Sequence, residues 1–483
     1  VVWVPRIGRI DPQADQPSAL GNSVSGRGYR PWRLTMTISR RRFLASAGAL
    51  GATATASVLA QPVTPRPLPF LISTSSDPLL PKPGGKRVVI CGGGWGGISA
   101  AKQLKKNDPG IEVVVLERNP VFFSCPMSNK WLVDVVDTNY LTWSYLDVAQ
   151  THDYRFIQTE VVAFERERRR VVTAQGYVDY DYLILGAGIR YNYEAWFGND
   201  RKAADFTRAR YPAAYIPNAE HFALKAGIQN FKGGDLVMTL PPPHRCPPSP
   251  YERACLIAGL FKQNKVKGRV IILDPKDSPK PITEGFQEAF ATLYKDQITY
   301  VPKAVIQEVD PFNKRIRTAA GDFRFDHGIL MAPHQAGDMA WKAGVIGRGA
   351  DGKPSGWAAV DPVFLNLKDD QNVYVIGDAV GLVSPQFSFY PKAGHVANAH
   401  ARIVARYIAD RVAGKAPKAA LPDNLCFMMV NTAPREDVAV RFRYHFNEQG
   451  VIIQEQIDDN LRRDDLVSED FQWASRMYED MFS

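Results

Sequence analysis

Cysteine is scarce: five residues in a chain of 483. Five cannot build a disulfide framework, and an odd number leaves at least one without an internal partner. No Cys-x-x-Cys-His run occurs, so the chain carries no c-type haem attachment of its own. No stretch reaches ~18 uninterrupted apolar residues, which argues against a membrane span in the mature chain. Acidic residues are short at one end only. Residues 1–60 hold eight Lys/Arg against two Asp/Glu, so +6 of the formal +9 charge sits there. The high isoelectric point is therefore a property of the leader, and nucleic acid is not an expected partner. The length suits two to three domains with a sizeable core.

What residues 1–60 do contain reads as an address. After Met36, Ser39-Arg40-Arg41-Arg42-Phe43-Leu44 resembles a twin-arginine export signal. A weakly apolar Ala/Gly stretch follows, and Val58-Leu59-Ala60 supplies small residues at −3 and −1 for cleavage. The expectation is export to the periplasm of a protein already folded around its cofactor. Residues 61–86 hold seven prolines and read as a tether.

Structure begins with "KRVVICGGGWGGISAAKQLKK" at Lys86. A buried strand runs into Gly92-x-Gly94-x-x-Gly97, and a helix follows. This is a dinucleotide fingerprint: the first glycine makes the turn, the second admits pyrophosphate, and the third lets helix pack on strand. Glu117, 25 residues after Gly92, ends the next strand and is placed to accept ribose hydroxyls. Two later segments identify the dinucleotide as FAD. "YDYLILGAGI" runs a strand into Gly186-Ala187-Gly188, and "NVYVIGDAVG" ends on Gly377-Asp378. Both resemble flavoprotein motifs, the second supplying an Asp to the ribityl chain. The stretch "PKAGHVANAHARIVARYIA", entered through Lys392, reads as a helix whose N-terminus faces the flavin pyrimidine and stabilises negative charge on the reduced ring. The plan is similar to that of glutathione-reductase-like disulfide oxidoreductases. The expected fold is α/β, with two Rossmann-like doubly wound domains and a small α+β C-terminal domain. The expected divisions are 87–204 and 339–420 for FAD, 205–338 for the second Rossmann-like domain, and 421–483 for a C-terminal dimer or cytochrome interface.

Where the second domain should carry a glycine-rich loop, the chain reads "LPPPHRCPPSPYERAC" from Leu240. Prolines have no N–H to offer a phosphate, and their rings fill its place. NAD(P)H binding is therefore not expected. Cys246, beside Arg245 and His244 and just before a helix, should have a lowered pKa and nucleophilic character. Ser249-x-x-Glu252 with Pro250 between them is also a capping box.

The run Cys246 to Arg253 resembles the Cys-Pro-Pro-x-Pro-Tyr-Glu-Arg signature of the flavocytochrome c sulfide dehydrogenase flavin subunit, and more distantly sulfide:quinone oxidoreductases. That resemblance implies a redox cysteine at Cys246 and a base at Glu252; the capping and catalytic readings of Glu252 both stand. It also implies oxidation of sulfide or another reduced sulfur compound, electrons passing to a c-type cytochrome subunit. "VFFSCPMSNKW" is similar to the segment whose cysteine bonds the flavin covalently, which makes Cys125 the candidate; a buried unreactive thiol is the alternative. Cys91 reads as strand core and Cys426 as structural.

One departure stands out. The family's second redox cysteine falls in a Gly-Trp-Cys-Pro-Val-Asp run, and here Ala358 occupies its position. Three readings follow: Cys246 acts alone, Cys255 substitutes as its partner, or sulfide chemistry has been lost and an electron-transfer subunit remains. A quinone-reducing relative is a further alternative, and no metal site is expected.

Overall fold

Continuous apolar runs dictate the centre of the molecule. In the computed structural model, which describes residues 77–217 and 219–483, all five residues of the strand Arg87–Cys91 are buried. Such a strand needs cover on both faces, which is the condition of a parallel sheet between helices. It lies third in a five-stranded sheet ordered Val373–Val375, Tyr182–Leu185, Arg87–Cys91, Glu112–Glu117, Arg155–Gln158. Every pairing is parallel, with Val88 opposite both Val113 and Tyr182. The edge strand Val373–Val375 comes from far along the chain, so a late segment completes the sheet begun at Arg87.

A second parallel sheet runs Ile298–Val301, Gly268–Leu273, Gly234–Thr239, His327–Leu330. The C-terminal region is an antiparallel meander of Asn424–Thr432, Arg435–Phe446 and Ile452–Arg463. The helix Asp465–Phe482 covers it, burying Leu466, Asp470, Ala474, Tyr478 and Met481 at helical spacing. Its aromatics face inward: Trp473 stacks on Trp95 at 6.2 Å and Phe482 on Trp143 at 4.6 Å.

The export signal and cleavage site lie outside the described residues, as does the 61–76 part of the tether. The rest of the tether is docked, with the Leu79 N–H donating to the Tyr177 carbonyl at 2.8 Å. Among the described residues no helix is long and apolar enough to cross a membrane.

Candidate flavin and thiol site

A cavity of about 1000 Å³ opens at the carboxyl ends of the first sheet. This is where ligands bind in doubly wound folds. Gly92, Gly94 and Glu117 line it from one side, Gly186, Ala187 and Gly188 from the second, and Gly377 and Asp378 from the third. All three motifs therefore converge on one space.

Local geometry gives each glycine a distinct task. A Cβ on Gly97 would stand 1.8 Å from the Gly92 carbonyl oxygen, so helix and turn touch there. A Cβ on Gly94 would meet no protein atom within 4 Å, and Gly94 is exposed at the mouth of the helix Trp95–Asn107. That free space at a helix N-terminus is a cradle for pyrophosphate. Glu117 accepts from the Gly93 N–H at 2.7 Å and the Asn119 N–H at 2.8 Å, fixing its carboxylate at the cavity wall. Asp378 Oδ1 is buried with no protein partner. An orphan acceptor there fits a ligand hydroxyl. The helix Gly394–Val412 starts against the same cavity through Gly394 and Ala397. The residues present thus fit FAD.

The proline-rich loop of the second domain reaches the wall of this cavity through Arg245, while Cys246 is not among the lining residues. Of its nine residues, Leu240 to Pro248, five are proline. Three of the remaining four N–H groups are already spent: Leu240 on Leu273, Arg245 on His334 Nδ1 at 2.9 Å, Cys246 on the Lys392 carbonyl at 2.7 Å. Such a loop has almost nothing left for a phosphate. It is instead tied to the flavin motif, because Arg245 Nε pairs with Asp378 Oδ2 at 2.9 Å. Arg245 also donates to the Tyr215 carbonyl at 2.8 Å, which Cys125 Sγ approaches at 3.9 Å.

Lys392 is buried and donates to the Asp378 and Val380 carbonyls at 2.9 Å each, with its Nζ 3.6 Å from the Trp357 ring centroid. Burial pulls its pKa down to about 7, against the pull of Asp378. Ala358, next to Trp357, is buried, and its carbonyl accepts from the Gly381 N–H at 2.9 Å.

Two expectations are corrected. The Cys246 thiol is pushed well up rather than down. Burial is the main cause, and the Glu252 carboxylate acts in the same direction. The opposing cations are weak here. Arg245 is engaged by Asp378, and burial holds His244 neutral, its pKa near about 4. The helix N-terminus is spent too, since the Ser249 N–H donates to the Cys246 carbonyl. The capping box does not form. The helix Ser249–Gln263 starts after Pro248 without a side-chain cap. Glu252 instead accepts from Lys130 Nζ at 2.8 Å, Asn129 Nδ2 at 2.7 Å and the Met429 N–H at 3.0 Å. A buried ammonium outcompetes a chain N–H for that carboxylate. Glu252 does not line the cavity.

Sequence reasoning missed the charge cluster that Glu252 joins. Lys130 is almost wholly buried and also pairs with Asp470 at 2.8 Å, and Asp470 shares a hydrogen bond with Asp437. Burial and neighbouring carboxylates raise Asp437 to about 8. All five cysteines are free; Cys91 and Cys255 are core residues with no exposure.

Comparison with known proteins agrees with this geometry. Residues 222–328 match the family described as sulfide dehydrogenase [flavocytochrome c] flavoprotein chain, central, and residues 86–210 match pyridine nucleotide-disulphide oxidoreductase. A sulfide dehydrogenase [flavocytochrome c] flavoprotein chain from Chlorobaculum thiosulfatiphilum is 54% identical over 46 residues, 96% of that sequence and 10% of this one. The chain belongs to the flavocytochrome c sulfide dehydrogenase flavoprotein family. Membership makes it a flavoprotein oxidoreductase and implies FAD in the cavity described. A more distant relative, the mitochondrial sulfide:quinone oxidoreductase of Mus musculus, is 25% identical over 311 residues, 61% of this chain and 66% of that protein. The sulfide:quinone oxidoreductase of Aquifex aeolicus shares the fold with a TM-score of 0.61 at 14% identity, over 82% of this chain and 92% of that one.

Proposed function

We propose that this flavoprotein oxidises sulfide or another small reduced sulfur compound at Cys246 and passes the electrons to a c-type cytochrome subunit in the periplasm. One observation carries the reading: the loop in the nicotinamide position is closed to phosphate, bears a thiol, and is ion-paired through Arg245 to the flavin-motif Asp378. FAD supplies a two-electron acceptor that can release electrons singly. The chain's own residues do the rest. Gly94 and the helix behind it take the pyrophosphate, and Asp378 orients the ribityl chain. Lys392, which donates to the Asp378 carbonyl, would bring an adjustable charge to the turn that holds the cofactor, and Cys125 would be the residue for covalent attachment.

The test is anaerobic addition of sulfide to the purified protein while flavin absorbance is followed. Wild type should bleach, and Cys246→Ala should bleach roughly 100-fold more slowly. Wild type that stays oxidised with sulfide, yet is reduced by dithionite, removes the sulfide reading. Ala358 favours a second reading, an electron-transfer subunit without sulfide chemistry; sulfide-independent reduction of added cytochrome c would select it.

A further inference from the structure

The helix Arg201–Arg210 walls the flavin cavity, and two of its faces differ in what they meet. Arg201, Ala204, Asp205 and Arg208, at helical spacing, line the cavity. Lys202, Phe206 and Arg210, each one turn from the next, form a second face that is exposed. Phe206 is 37% exposed and Phe312, in the turn after Asp310, is 46% exposed, and their rings lie 4.8 Å apart. Exposed apolar side chains scattered singly need no explanation, but two that touch make an apolar centre. Cations surround it. Lys202 Nζ stands 5.6 Å from the Phe312 ring centroid, Arg210 follows Phe206 by one turn, and Lys314 follows Phe312 along the chain.

Stability does not account for these charges. The helix holds four Lys/Arg against one Asp, and Arg201 and Lys202 stand in its first turn, where the dipole favours acids. Among the described residues, none of the four is ion-paired with a carboxylate. The patch therefore presents unneutralised positive charge around an apolar centre, which complements an acidic protein face with an apolar middle. Its position matters as well. A helix with its side chains is about 10–12 Å across, and this one alone separates the patch from the cavity. From the helix a run of rings leads to the thiol loop. The Arg208 guanidinium lies 5.3 Å from the Tyr193 ring, Tyr193 is 5.8 Å from Tyr191, and Tyr191 is 5.3 Å from His334, whose Nδ1 accepts the Arg245 N–H at 2.9 Å.

We propose that the Lys202, Phe206, Arg210 and Phe312 face docks the electron-accepting c-type cytochrome, and that the cytochrome presents to it a carboxylate-rich surface around its haem edge. The inference rests on the acceptor proposed above and adds where, and by what charge, that acceptor binds. The reduced flavin gives one electron to each of two ferric haems in turn, and its protons pass to solvent. Opposite charge steers the haem side to the cavity wall, and Phe206 with Phe312 fills the dry centre of the contact. A basic cytochrome meets like charge there and is turned away.

The test mixes photoreduced holoprotein in a stopped-flow instrument with an acidic ferric c-type cytochrome, or with a basic one of similar potential. At low salt the acidic protein should reoxidise the flavin about 10-fold faster, and the advantage should fade as ionic strength passes about 0.1 M. The double variant Lys202→Glu, Arg210→Glu should slow the acidic cytochrome about 10-fold while keeping wild-type flavin content and slowing ferricyanide much less. Lys415→Glu, in an exposed segment after the helix Gly394–Val412, should change nothing. Equal rates for the two cytochromes, or a double variant as fast as wild type, overturns the docking face and leaves the acceptor reading standing. Ferricyanide slowed as much as the cytochrome makes the patch a funnel for small anions, and a wild-type dimer that the double variant dissociates makes it a self-contact; either result overturns the proposal. If neither cytochrome reoxidises wild-type flavin, the acceptor reading falls with it. Sulfide takes no part in these reactions, so its oxidation stands or falls on its own test.

Discussion

Arg245 Nε stands 2.9 Å from Asp378 Oδ2, and both side chains are largely buried. One ion pair therefore joins the thiol-bearing loop to the turn assigned to the ribityl chain. Breaking such a pair from one side strands the other charge and costs about 3–5 kcal/mol. Arg245→Met should lose that much stability in urea titration and retain less flavin. Arg245→Lys keeps the charge but not the two-directional reach to Asp378 and Tyr215, so it should fall between. A wild-type titration curve and flavin content for Arg245→Met would refute the link.

The fingerprint glycines predict opposite outcomes for the same substitution. Gly97→Ala drives a methyl into the Gly92 carbonyl at 1.8 Å, so the turn must open and the apoprotein should lose stability. Gly94→Ala meets nothing in the chain and has an ordinary negative φ of −71°. It should melt as the wild-type apoprotein does and yet bind FAD more weakly. Calorimetry of both apoproteins alongside FAD titration separates the two; equal FAD affinity for Gly94→Ala would place the pyrophosphate elsewhere.

The two parallel sheets and the convergence of three motifs were legible because their signals are local: apolar runs, glycine spacing, and acids at strand ends. The state of Cys246 was not. Its neighbours in sequence, His244 and Arg245, argue for a thiolate. The opposing influence is burial, which no spacing reveals. Glu252 misled for a related reason. Ser249-x-x-Glu252 is a valid capping pattern, but Lys130, over a hundred residues upstream, makes the stronger partner for the carboxylate. Lys130 itself stood in the quoted "SNKW" run, and a lysine amid aromatic and apolar residues was the available hint of a buried ammonium.

The carboxylates around Lys130 predict a pH dependence. Asp437 faces Lys130, Asp470 and Glu252, and its folded pKa is raised to about 8 from an ordinary 3.8. Between those values the folded protein holds a proton the unfolded chain has lost, so this group's contribution to stability falls as pH rises. The slope is at most about 1.4 kcal/mol per pH unit. Asp437→Asn mimics the protonated form and removes the slope. Its urea midpoint should gain on wild type between pH 5 and pH 8, and the difference should level off above about pH 8. A difference independent of pH would mean Asp437 is ionised throughout.

Lys392 makes the opposite prediction over a neighbouring range. Its folded pKa is lowered to about 7 from 10.5, chiefly by burial. From pH 7 to pH 10.5 the unfolded chain binds the proton that the folded protein does not, so this group's contribution to stability rises with pH. Lys392→Met leaves an apolar chain against Trp357 and should abolish that rise, so its stability relative to wild type falls with increasing pH. The same titration has a functional face. Lys392 donates to the Asp378 carbonyl in the flavin-motif turn, so loss of its proton near pH 7 removes a positive charge beside the cofactor site. The midpoint potential of bound flavin in wild type should therefore drop more steeply across pH 6–8 than in Lys392→Met. Parallel potential–pH curves for the two proteins would show that Lys392 keeps one protonation state at the flavin, whatever it contributes to folding.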